Sequence, residues 1–139
     1  GKRAVIIGGG MIGCELARYL AEKGHEVVLI EILPDLAMDA YPVIRKVLLD
    51  RVGREGISTY TSVKEEKITE EGVEIVDSCG KQFLLGTDLI ILSAGSVPNS
   101  AASRSLEGTA AEFYEAGDCR EASKILEAIH GGYAAARNL

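Results

Sequence analysis

The chain has 139 residues, with 21 acidic side chains against 15 Lys and Arg and a formal net charge of −6. That length fits one domain, or one domain with part of another, and can bury a hydrophobic core without staples. The acidic balance speaks against a nucleic-acid or anionic-membrane partner, and no apolar run approaches the roughly 20 residues that span a bilayer. The basic start "GKRAVIIGGG" loses its apolar run to glycines after four residues, so it does not read as a secretory signal. Cys14, Cys79 and Cys119 are odd in number, far apart and without a C-x-x-C pair. They predict neither a disulfide framework nor a zinc site, and a reducing cytoplasm as the setting.

In chain order, "RAVIIG" (3–8) reads as a buried parallel strand. "MIGCELARYLAEKG" (11–24) then takes a helical period, with Ile12, Leu16, Tyr19 and Leu20 on one face and Gly24 placed to end the helix. "HEVVLIE" (25–31) is a second apolar strand, so residues 3–31 have the size of a βαβ unit with parallel neighbouring strands. Residues 33–40 read as a loop. Residues 41–56 predict a helix with Pro42 in its first turn and Val43, Ile44, Val47, Leu48 and Arg51 on the apolar face. "ISTYTSV" and "KEEKITEEGVEIVDSCGKQFLLG" predict short antiparallel strands split by "EEG" and "SCGK", a small meander. "TDLIILSAG" (87–95) returns to a buried parallel strand. Residues 96–111 read as a connection, 112–118 as a further strand-like run ending in Gly-Asp, and 123–138 as a last helix with Ile125, Ile129, Tyr133 and Ala136 on one face. The expected class is α/β: a Rossmann-like FAD/NAD(P)-binding fold with a parallel sheet, a βαβ unit and an antiparallel β-meander crossover.

Gly8, Gly10 and Gly13 match G-x-G-x-x-G. Such a match alone is weak. Here it follows a strand, opens a helix and lies inside a βαβ unit, which favours a dinucleotide over a bare structural turn. Gly8 permits the tight turn, Gly10 lets a pyrophosphate approach the backbone, and Gly13 lets the helix pack on the strand. The helix N-terminus then faces the phosphates, with Gly9, Met11 and Ile12 completing the loop. Glu31 ends the second strand 18 residues after Gly13, near the spacing of a ribose-binding acid. A carboxylate there accepts from ribose hydroxyls and repels a 2′-phosphate. Ile32 follows it rather than Arg, so NAD(H) is favoured over NADP(H). The alternatives are a solvated strand-end Glu and an S-adenosylmethionine site, which the third-glycine spacing fits less well. Ser93, Ala94 and Gly95 follow a parallel strand and are small enough for a nicotinamide half to pass, although a loop leaving a strand explains them equally. His25, read as solvated, and His130, on the polar side of the last helix, have no acid or thiol grouping, so no catalytic or metal constellation emerges.

"VIIGGGMIGCE", Glu31, "LIILSAGSVPN" and "FYEAGDC" occur in the order seen in flavoproteins of the pyridine nucleotide–disulfide oxidoreductase superfamily, and the sequence resembles that superfamily over essentially its whole length. "AGDCREASKILEAIHGGYAAARNL" and "EILPDLAMDAYP" are similar to 2-enoate reductase and 2,4-dienoyl-CoA reductase type NADH:flavin oxidoreductases. The resemblance implies that residues 1–97 are an NAD(H)-binding domain and residues 98–139 the returning C-terminal piece of a split FAD-binding domain. It implies that Gly117 and Asp118 touch the ribityl–phosphate part of FAD, that Glu15 lies near the nicotinamide, and that Val63 falls in the adenine-facing segment.

The departures from the family's pattern are specific. One glycine loop is present where the family has two, so the FAD site is partial. The redox-active cysteine pair of the disulfide reductases is absent, and so is the cysteine cluster of a barrel carrying FMN and an iron–sulfur cluster. The sequence therefore resembles a C-terminal fragment whose partners are NADH and the missing N-terminal FAD and barrel regions of a parent chain. In the parent, hydride would pass from NADH to FAD for reduction of an enoate or similar activated alkene, whereas the isolated chain would bind NADH without turnover. Apolar surface stripped of its packing partner predicts some self-association into a homo-oligomer. A reading of another class is a non-catalytic NAD-sensing or interaction domain.

Overall fold

Ala4 to Ile7 are buried on both faces of strand β1 (Arg3–Ile7), because β1 lies inside a sheet covered on both sides. The computed structural model describes residues 1–138, with the backbone alone at residue 65. Residue 139, the end of the expected second piece, lies outside the described residues. The chain divides into two compact units, Gly1–Ala94 and the stretch from Gly95 onward.

In the first unit, β1 leads into α1 (Met11–Glu22), β2 (Glu26–Ile30), α2 (Pro42–Arg54) and β3 (Ser58–Tyr60). Three strands follow, β4 (Glu65–Thr69), β5 (Gly72–Val76) and β6 (Gln82–Leu85), and then β7 (Leu89–Leu92). The main sheet has the order β3-β2-β1-β7, with every pairing parallel. β4, β5 and β6 form a separate antiparallel sheet that makes the crossover from β3 to β7. Residues of β1 alternate between two cores, as a period of two requires. Ile6 joins Leu29, Cys14, Ala17, Leu48 and Val52 under the helices, while Val5 and Ile7 join Ile30, Val63, Val73 and Ile75 under the meander.

Three differences from the sequence reading have physical causes. β3 is not part of the meander: it pairs parallel with β2, Val28 opposite Ser58. A helix crossover returns the chain parallel, but three residues are too few for that to show in a pattern. On α1 the buried residues are Gly13, Cys14 and Ala17, while Ile12 and Tyr19 are exposed; on α2 they are Leu48 and Val52, while Val43, Ile44 and Val47 are exposed. On α1 the packing is so close that small residues face the sheet and Ile12 and Tyr19 are displaced from it, whereas on α2 Leu48, as expected, turns to the core together with Val52. In the second unit, residues 112–116 form no strand, because no strand there among the described residues offers a ladder partner.

That unit holds a one-turn helix α3 (Ala101–Arg104), a 3-10 turn over Gly117–Cys119, and helix α4 (Ile125–Arg137). Ser103 Oγ bonds to the Glu115 carboxylate, and Tyr114 OH donates to Asn138 O at 3.0 Å, fastening the unpaired segment. The expected apolar face of α4 is uncovered: Ile125, Ile129 and Tyr133 are 80%, 62% and 65% exposed.

A Cβ on Gly13 would lie 2.0 Å from Gly8 O, whereas one on Gly53 in α2 would meet nothing within 4 Å. Gly13→Ala is therefore expected to destabilise by at least about 2 kcal/mol, since backbone must move. Gly53→Ala is expected to stabilise by about 0.5–1 kcal/mol through helix propensity. Urea unfolding of the two variants checks both signs.

Candidate functional site

The carboxyl ends of β1, β2 and β7 run into Gly8, Glu31 and Ser93 along one edge of the parallel sheet. In open sheets of this kind, ligands bind at that edge, where strand order reverses between the first strand and its outer neighbour. Gly8 N–H donates to Ile30 O at 2.9 Å and Ser93 N–H to Ile7 O at 2.7 Å, so all three strands are fastened there. Gly8 has φ +107°, and a Cβ on it would lie 2.3 Å from Ser93 O. The turn and the close approach both require glycine.

Gly10 differs. Its φ of −64° is open to any residue, and its Cβ would meet only the Asp39 side chain, at 3.4 Å. The packing of the chain does not itself demand glycine at this position. Bare backbone there suits a group approaching from outside, as a pyrophosphate does at a helix N-terminus. Gly10 precedes α1 and contributes no capping side chain.

Two carboxylates serve the glycine loop instead. Glu31 is 8% exposed, with Oε2 accepting from Gly9 N–H at 2.6 Å and Oε1 from Leu33 N–H at 2.8 Å. The Glu31 backbone is tied to Tyr60 O and to Val63 N–H, at 2.8 and 3.1 Å. Asp39 Oδ1 accepts from Met11 N–H at 2.7 Å, capping the first turn of α1. Sequence reasoning missed Asp39: it lies 28 residues from Met11, in a stretch read only as a loop. The signal available was a phosphate-type helix start without a capping side chain, followed by a loop rich in acids.

The other expected site residues divide by position. Met11, Ile12, Gly13 and Glu15 are on the first turns of α1, where Ile12 and Glu15 are exposed and Gly13 is packed on Gly8 O. Ile32 is 65% exposed beside Glu31, and Ala94 is exposed after Ser93. The Val63 side chain is in the meander-side core, leaving its backbone as the part tied to Glu31. Gly95, Gly117 and Asp118 belong to the second unit. There Gly117 has φ +74° and its carbonyl accepts from Arg120 and Glu121 N–H, at 3.0 and 3.1 Å, while Asp118 Oδ1 accepts from Ser123 N–H at 3.4 Å.

The model of the pyridine nucleotide-disulphide oxidoreductase family matches residues 1–117. The chain belongs to this family. Members of the pyridine nucleotide-disulphide oxidoreductase family bind NAD(P)H and FAD. The chain is 34% identical to an NADH oxidase of Thermoanaerobacter brockii, over 95% of its own length and 20% of that protein. It is 34% identical to a bilirubin reductase of Mediterraneibacter gnavus, over 99% of its length and 21% of that protein. Among solved structures, a 2-naphthoyl-CoA reductase in complex with 2-naphthoyl-CoA matches with a TM-score of 0.86 and 30% identity, covering 96% of this chain and 20% of that one. The chain thus spans about a fifth of the length of these relatives.

Cys14 lies beside the glycine loop. This buried thiol donates to Gly9 O at 3.4 Å, and burial, then the Asp39 and Glu31 charges, push its pKa up to about 11. Among the described residues no group of three or more His, Cys, Asp or Glu could hold a metal, and no helix is long and apolar enough to cross a membrane. His25 is half-buried rather than solvated, and its Nδ1 is shielded without a hydrogen-bond partner. His130 is exposed.

The thiolate is the reactive form of cysteine. A thiol reagent at pH 8 is therefore expected to label exposed Cys79 quickly and Cys14 only on unfolding. Because the folded pKa of Cys14 exceeds its unfolded value, its contribution to stability is full below pH 9 and is lost as pH climbs from 9 towards 11. Mass-mapped labelling and alkaline unfolding curves check the two statements.

Proposed function

We propose that this chain is the NAD(H)-binding region of a flavin-dependent reductase, with residues 1–97 holding NADH and residues 98–139 forming part of an FAD site. The observation that carries the reading is Gly10, a glycine that neither its backbone conformation nor its own packing requires, at the N-terminus of α1. Bound NADH would supply the hydride that reduces FAD. The part played by this chain is to bind and orient. Backbone N–H groups of Gly9 to Ile12 would face the pyrophosphate, and Glu31 would accept from the ribose hydroxyls. Glu31 already accepts one backbone N–H on each oxygen, which fixes the carboxylate in place and leaves lone pairs for a ligand. It also keeps a negative charge where a 2′-phosphate would lie, which favours NADH over NADPH.

Ser93, Ala94 and Gly95 would flank the nicotinamide half, with Glu15 near it and Val63 N–H and O bordering the adenine. Gly117 and Asp118 would contribute to the ribityl–phosphate part of FAD. The Gly117 conformation needs glycine whatever binds there, so the FAD assignment rests on the motif and the family. Relatives named as reductases of bilirubin and 2-naphthoyl-CoA support an activated alkene or a related conjugated system as final acceptor. FMN and an iron–sulfur cluster would belong to the rest of such a protein. This chain alone would bind NADH without turnover.

Gly10→Val is expected to leave the melting temperature within a few degrees and to weaken NADH binding at least about a hundredfold, since it fills the space a pyrophosphate needs. Calorimetric titration of the chain checks this, and unchanged affinity would remove the pyrophosphate site. NADPH is expected to bind at least about tenfold more weakly than NADH; equal affinity would contradict the role of Glu31. The uncovered face of α4 predicts concentration-dependent association by sedimentation, reduced in an Ile125→Ser, Ile129→Ser double variant.

A further inference from the structure

The glycine loop is held from the segment between β2 and α2. Gly9 O accepts from Ala37 N–H at 2.7 Å, while Gly9 N–H donates to Glu31 Oε2 at 2.6 Å. A peptide unit is planar and trans, so the direction of Gly9 O also fixes the direction of Gly10 N–H, at the entry to α1. Ala37 makes its bond from an uncommon conformation. It is fully buried with φ +49°, a left-handed value that an alanine keeps only where its surroundings impose it.

Arg45 supplies that constraint. It lies near the start of α2, half-buried, and reaches back to the segment that precedes the helix. Its Nε donates to Leu36 O at 2.9 Å, and a terminal nitrogen pairs with Asp35 at 2.5 Å. Asp35 Oδ1 in turn accepts from Leu36 N–H at 2.8 Å. The hydrogen bond from Arg45, then that from Leu36 N–H, holds the Asp35 carboxyl below its ordinary value. Leu36 O and Ala37 N–H belong to one planar unit. Arg45 therefore grips one side of that unit, and the other side meets Gly9 O. Two peptide planes in series connect a guanidinium on α2 to the backbone N–H groups at the start of α1.

We propose that Arg45 is a positioning residue for the dinucleotide: through the Leu36–Ala37 peptide it orients the Gly9–Gly10 peptide to receive the pyrophosphate. The inference rests on the dinucleotide-binding reading. It assigns Arg45 a role through geometry. A role through charge is the competing account, because the Arg45 charge is felt as far as Cys14.

Two substitutions separate these accounts. Arg45→Lys keeps the charge but loses the planar fork that reaches Leu36 O and Asp35 together. Asp35→Asn keeps an acceptor for Leu36 N–H, weakens the hold on the guanidinium and removes a negative charge. Arg18→Gln is the control, since Arg18 joins α1 to Glu55 at the end of α2, at 3.0 Å. NADH and ADP-ribose affinities of the 139-residue chain are measured by calorimetry, with thermal melting of each variant and amide exchange at Ala37. Arg45→Lys and Asp35→Asn are each expected to weaken both ligands about tenfold and to speed exchange of Ala37 N–H, whereas Arg18→Gln leaves affinity within about twofold. If Arg45→Lys binds as the original does and Asp35→Asn binds more tightly, charge is what matters and the proposal is overturned. Unchanged affinity in both variants overturns it too, as does a loss in all three that follows their melting temperatures. In each of these cases the cofactor reading stands. If the original chain binds neither ligand, the cofactor reading and the proposal fall together.

Discussion

Gly8 is where three backbone segments meet more closely than any side chain would allow. β1 turns there, the first turn of α1 packs on its carbonyl, and the end of β7 passes against it, with virtual Cβ distances of 2.0 Å for Gly13 to Gly8 O and 2.3 Å for Gly8 to Ser93 O. This approach brings Gly8, Glu31 and Ser93 to one edge of the sheet. It also explains why small residues rather than large ones form the buried face of α1, and why Ile12 and Tyr19 point outward. The parallel order β3-β2-β1-β7 then orients that edge as a crevice at the carboxyl ends of the strands.

Given this scaffold, the chemistry of the crevice is set by negative charge held close to backbone N–H groups. Glu31 and Asp39 each neutralise donors of the glycine loop, yet their surroundings differ. Glu31 is buried and fixed by two N–H groups, so its charge is a permanent feature of the site. Asp39 is exposed and caps Met11 N–H from the segment between β2 and α2. The nearby Cys14 thiol registers both charges in its raised pKa, behind the larger effect of burial. Farther out, the Glu66 carboxyl is also raised from its ordinary value, by burial first and the Glu31 charge second.

The elements with strong periodic patterns were legible in the sequence. The βαβ unit, the two long helices of the first unit and the meander with turns at Gly72 and at Asp77–Lys81 follow from local pattern. So does β7 as a parallel strand, although it is not the buried strand expected: it lies at the sheet edge with Leu89 and Leu92 exposed. β3 was legible as a strand but not as a parallel one, since its partner, Val28 opposite Ser58, is chosen by the crossover over residues 31–57. The strand-like run at 112–118 failed for the opposite reason: apolar β-propensity is present, but a strand needs a partner that the described residues of the second unit do not offer. At the candidate site the glycines and Glu31 were legible because each occupies a fixed offset in a known motif. Asp39 was not, because what places it is the tertiary course of the segment between β2 and α2.

The central claim is that the edge formed by Gly8, Glu31 and Ser93 receives a dinucleotide. Amide chemical-shift mapping of the 15N-labelled chain during an NADH titration tests it most directly. The account predicts the largest shifts at Gly9 to Ile12, Leu33 and Ser93, with the β4–β6 sheet little affected. Saturable binding with the largest shifts elsewhere, or no shifts at Gly9 to Ile12 at millimolar NADH, would contradict it.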